Sequence, residues 1–134
     1  MCIRDRSNEN PVYYVQYGHA RIVSVFKNAD AADVAAARAG ESLESLRHPS
    51  ELALIRRLTE LPGLAAKVVE RLAPHRLTRY AREVASDFHQ FYAECKILTG
   101  DRDERLARLS LCIAAQTVLA RVLNLVGVSA PESM

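Results

Sequence analysis

From Leu106 to Val126 the chain runs without a glycine or proline, and a helix drawn through this stretch carries apolar side chains on nearly every side. Such a helix cannot rest on a surface. It has to be wrapped by others, so it is expected to be the buried centre of a bundle. Asp103 and Glu104 just before it suit a first helical turn by attraction to the dipole, and Gly127 is positioned to cap its end. The rest of the composition agrees: 20 Ala, 16 Leu and 15 Arg stand among 134 residues, against five Gly and five Pro. The expected fold is all-α, an antiparallel bundle of five or six helices joined by short turns. The length suits one domain and excludes a kinase or dehydrogenase carrying an appended module. With 49 % apolar residues the chain can build its own core. No run approaches 18 uninterrupted apolar residues and the start lacks the apolar segment of a signal peptide, so a soluble, intracellular protein with no membrane partner is expected.

Punctuation places the remaining helices. Asn10-Pro11 is a start signal, predicting a helix from Pro11 to about Lys27, although the aromatic run VYYVQY also suits a strand. Asn28 to Gly40 reads as a short Ala-rich helix ended by glycine, and Glu41 to His48 as a polar loop or hinge. His48-Pro49-Ser50 opens a helix to about Leu61, which Pro62-Gly63 breaks; another follows to Ala73. On the long helix His75 to Leu98, the residues Leu77, Tyr80, Ala81, Val84, Phe88, Phe91, Tyr92 and Cys95 form one stripe that must face protein. Thr99-Gly100-Asp101 is a turn. The opening Met1 to Arg6 fits nothing downstream, resembles a string found at the start of translations from fragmentary assemblies, and is expected to be non-native.

Catalytic groups are scarce. There is no glycine-rich phosphate loop, HExxH or GxSxG, and the four histidines are isolated from one another, so no catalytic residue is assigned. Cys2, Cys95 and Cys112 are far apart, and no metal site is expected; Cys95 and Cys112 read as small buried hydrophobes. Asp101, Asp103 and Glu104 are explained by the helix dipole, with a metal site as the weaker alternative. His19 lies on the apolar face of the first helix and reads as a hydrogen-bonded core histidine. A net charge of +2 neither demands nor excludes a polyanion.

At about 100° per residue, Val12, Val15, His19, Ile22 and Phe26 share one face of the first helix, while Tyr14, Tyr17 and Arg21 cluster on a face roughly opposite. Tyrosine offers a rigid π-surface for an unstacked base, and arginine adds phosphate pairing or stacking. The same residues can instead pack against another helix or domain.

The segment NPVYYVQYGHARI, Asn10 to Ile22, resembles the NPxxYxQYAHAR signature of arginyl-tRNA synthetases. HPSELALIRRLTELP, PHRLTRYAREVASDFHQFYAECKIL and VLNLVGVSAPESM resemble three further segments of that family, so the likeness spans residues 10 to 134. It implies a carboxy-terminal, all-helical anticodon-binding domain of the DALR type over 29–134, with 7–28 the helix leading from a catalytic domain. ATP and Mg belong, by the same resemblance, to that catalytic domain and not to this chain, which is expected to be inactive alone. The partners implied are the tRNA-Arg anticodon loop and the catalytic domain, in a cytoplasmic monomer. Residues carried over to the anticodon platform are Tyr14, Tyr17, Arg21, Tyr80 and Met134, and Arg76, Arg79 and Arg82 are expected to steer phosphates. Two positions depart from the pattern: Gly18 stands where the family has Ala, and Ser133 where it has Arg. A helical protein-interaction module that binds no RNA is the alternative reading, since aromatics and arginine also make protein hot spots.

Overall fold

The computed structural model describes residues 11–63, 75–98 and 101–125. Met1 to Arg6, the helix expected over 63–73 beyond its first residue, the Thr99-Gly100 turn, the Gly127 cap and Met134 lie outside them. The described elements are α1 (Pro11–Asn28), α2 (Ala31–Arg38), a 3₁₀ turn (Leu43–Ser45), α3 (Pro49–Leu58), α4 (His75–Glu94) and α5 (Arg102–Leu125). They form an all-α bundle, and VYYVQY is helical.

Local chemistry accounts for the boundaries. Asp30 caps α2 by accepting the Ala32 amide at 3.0 Å. Gly40, at φ 80°, ends it in the left-handed conformation that glycine tolerates, with the Gly40 and Glu41 amides bonded back to Ala37 and Ala36. In α3, Ser50 donates its amide to His48 Nδ1 and Glu51 folds back to accept the His48 amide at 2.8 Å, completing a reciprocal cap. This helix stops at Leu58, short of the expected Leu61. The buried Tyr80 hydroxyl donates to the carbonyls of Arg57 and Leu58, satisfying the orphan acceptors there, and residues 61–63 are helical again around Pro62.

α5 packs against α1, α2, α3, α4 and the 3₁₀ turn. Its Leu106, Leu109, Cys112, Ala115, Leu119 and Val122 are fully buried. It is not wrapped on every side, however: Ala114, Thr117, Arg121 and Asn124 form an exposed strip at helical spacing. By length and composition α5 is apolar enough to cross a membrane, but its apolar faces are spent on the other helices. Cys95 and Cys112 are reduced and buried, as expected, and His19 is buried too.

A buried carboxylate ties the loop, α3 and α5 together. Glu51, 1 % exposed, accepts the Arg47 and His48 amides on Oε1 and the Arg108 guanidinium on Oε2 at 2.7 Å. Breaking one half of such a pair leaves the largely buried Arg108 with only the more distant Glu104, at 3.9 Å, to balance it. Glu51→Gln is therefore expected to cost about 3 kcal/mol, read as a lower urea midpoint with an unchanged slope. Gly18 makes the opposite case. A Cβ built there would meet Ala85 Cβ at 3.4 Å and Leu119 Cδ1 at 3.7 Å, ordinary contact distances. Gly18→Ala should raise stability by up to about 1 kcal/mol, seen as a higher thermal midpoint; a lower one would mean that α1 cannot tolerate the methyl group.

Candidate nucleic-acid interface

α1 contacts both α4 and α5. Small side chains at Gly18 and Ala85 let α1 and α4 approach closely, and the aromatics flanking Gly18 then reach α4 at His89. The ring of Tyr14 lies 5.1 Å from that of His89, and the Tyr17 ring 5.6 Å from it. Tyr13 adds a third tyrosine ring, 6.4 Å from Tyr17. One turn beyond Tyr17, Arg21 donates from Nη2 to the Tyr17 hydroxyl at 3.1 Å. Its guanidinium carbon stands 5.0 Å from the centre of the Tyr17 ring and 4.4 Å from that of Tyr92.

Arg21 Nη1 lies 3.0 Å from His89 Nδ1. A guanidinium has only donors, so Nδ1 must be the acceptor and the histidine proton sits on Nε2. Burial first, and the Arg21 charge second, push the His89 pKa down from 6.5 to about 4. The ring is therefore neutral at pH 7 and locks the arginine rather than repelling it.

This geometry corrects the sequence reading in two respects. Tyr14, Tyr17 and Arg21 come together as expected, but they do not point away from the body of the protein. They are half-buried along the seam with α4, because α1 packs on two neighbours and has no face wholly opposite its core. Nor are the rings sealed in: Tyr92, placed by its stripe in the core, is 41 % exposed. The tyrosine of α4 that joins the cluster is Tyr92 and not Tyr80. Tyr80 is 3 % exposed, its hydroxyl is committed to the end of α3, and its pKa is pushed up to about 12 mainly by burial. It also lies nine residues from His89, about 13 Å along the helix axis.

Helical periodicity does not single out His89, and it places Tyr92 in the core stripe, not at the site. The available signal was a histidine set within the aromatic run Phe88 to Tyr92, with Tyr92 three residues on and therefore on the same side. Arg76 is half-buried, while Arg79 and Arg82 are exposed on the first half of α4; none of the three forms an ion pair among the described residues. Arg21 likewise has no carboxylate partner among them. Arg57, Arg105 and Arg108, by contrast, are each paired, with Asp87 and Glu83, with Asp33 and with Glu51. What the site offers is a set of ring surfaces and a fixed, uncompensated guanidinium, which suits planar anionic ligands.

The model of the DALR anticodon-binding domain family matches residues 15–134. The chain belongs to this family. Curated relatives of this DALR domain include the arginine–tRNA ligases of Heliobacterium modesticaldum, 45 % identical over 96 % of the chain, and Moorella thermoacetica, 46 % identical over 98 %. The chain spans about a quarter of the length of each (24 %). Among solved structures, the arginyl-tRNA synthetase of Thermus thermophilus superposes with a TM-score of 0.79 at 30 % identity, covering 96 % of this chain and 22 % of that one.

The depressed His89 pKa makes a stability prediction. Between about pH 6.5 and pH 4 the unfolded chain binds a proton that the folded His89 refuses, so stability is complete above that window and falls as the pH drops through it. The thermal midpoint of the wild type should be lower at pH 5 than at pH 7.5, and His89→Gln should shrink that difference. Equal differences in the two proteins would show that His89 is not held neutral.

Proposed function

We propose that this DALR domain recognises the anticodon loop of tRNA-Arg, as the C-terminal part of an arginine–tRNA ligase that arginylates its tRNA with ATP. Arg21 carries the reading: it is held between the rings of Tyr17 and Tyr92 and fixed by His89, with no acidic partner among the described residues. A splayed base lies on such rings, and alanine substitution at contacts of this kind costs roughly 1–3 kcal/mol per base. Tyr14, Tyr17, Arg21 and Tyr92 form the platform in this reading, with Met134 joining it by the family resemblance. Arg79 and Arg82, exposed and unpaired with acids among the described residues, draw in the phosphates together with Arg76. The names of the relatives point the same way.

By the family resemblance, ATP chemistry and its Mg ions are assigned to the catalytic part of the whole enzyme. A cytoplasmic, monomeric enzyme is the proposed setting.

Specificity and affinity reside in different residues, and a titration against anticodon stem-loops separates them. Tyr17→Ala should lose discrimination between cognate and noncognate loops. Arg79→Ala should weaken binding to all of them and flatten the plot of log affinity against log salt by about 0.7–0.9, one contact's worth. Binding of every RNA left unchanged by Tyr17→Ala would contradict base stacking.

A further inference from the structure

Beside the platform, where the end of α1 meets the end of α4, lies an open groove of about 520 Å³. Tyr92 belongs to both. Arg21 stands over its ring at 4.4 Å, and its exposed remainder lines the groove. Buried Val25, Cys95 and Ile97 contribute to the lining, and exposed Ser24, Asn28 and Lys96 add polar groups to it.

Two features of the lining select a ligand. First, the Asn28 side-chain nitrogen donates to the Ser24 carbonyl at 3.0 Å. That bond orients the amide, leaving its Oδ1 as a fixed acceptor. Second, α1 ends here, and although Phe26 O is taken by the Ala29 amide, the negative end of the helix dipole still attracts N–H donors and repels phosphate. An apolar lining with acceptors at one end suits the edge of a nucleobase bearing an amino group. Lys96, on the α4 side, supplies the charge for the backbone phosphate of the same nucleotide.

We infer that this groove is a second nucleotide subsite, holding an amino-bearing base of the same RNA loop next to the base stacked on Tyr17, Arg21 and Tyr92. Asn28 Oδ1 accepts from the base amino group, and Lys96 pairs with the phosphate. The inference rests on the anticodon reading, and it adds a reader of the base edge to a platform that otherwise works by stacking.

The test is a titration of the full chain against a cognate anticodon stem-loop and versions in which each unpaired loop base in turn is replaced by an abasic site. The wild type should lose affinity at two loop positions. Asn28→Ala should bind the intact loop about five- to tenfold more weakly, one hydrogen bond's worth. It should become indifferent to base removal at one of those positions while staying sensitive at the other. Tyr17→Ala should show the reverse pattern. Lys96→Ala should lower affinity for all versions alike. If Asn28→Ala matches the wild type at every position, the groove holds no base, even though the platform stands. If the wild type binds no loop, or binds all abasic versions equally, both the anticodon reading and the subsite fall.

Discussion

The close approach of α1 to α4 is the constraint on which the candidate interface rests. At Gly18 an added methyl group would already be in van der Waals contact with Ala85, which shows how near the two helices run. That closeness brings Tyr14 and Tyr17 within ring contact of His89 and puts Arg21 within hydrogen-bonding distance of its Nδ1. A free arginine side chain loses up to about 2 kcal/mol of rotamer entropy when a ligand immobilises it. Here the folding of the bundle has fixed Arg21 beforehand, so the guanidinium is presented in one orientation.

Arginine does two jobs in this chain, and the structure separates them. Arg57 bridges α3 to Glu83 and Asp87 of α4, Arg105 reaches Asp33 of α2, and Arg108 meets the buried Glu51. These contacts hold elements together across the bundle. Arg21, Arg79 and Arg82 are left without acidic partners among the described residues, two of them exposed and one clamped by rings and a neutral histidine. A net charge of only +2 conceals this division, because the structural arginines use up much of the acid.

Much of the fold was legible because its signals are local. Asn10-Pro11, Gly40 and His48-Pro49 mark boundaries through backbone chemistry that needs no neighbour, and the stripe on α4 identifies most of the core. Failures occurred where a second helix decides. Periodicity groups Tyr14, Tyr17 and Arg21 on one face but says nothing of what covers that face. It places Tyr80 and Tyr92 in the same stripe, and only packing reveals that one caps α3 while the other stands open beside Arg21. Likewise α5 looks apolar all round until its neighbours are in position and leave Ala114, Thr117, Arg121 and Asn124 uncovered. The role of His89, accepting from an arginine 68 residues away, has no trace in its own helix.

Anticodon recognition as proposed requires physical contact between loop bases and the Tyr17 and Tyr92 rings. Nuclear Overhauser effects in a complex of this chain with a tRNA-Arg anticodon stem-loop measure that contact directly. Cross-peaks from base protons of unpaired loop nucleotides to ring protons of both tyrosines are the predicted result. Cross-peaks confined to ribose protons, or an RNA seated elsewhere on the bundle with both rings unperturbed, would rule that contact out.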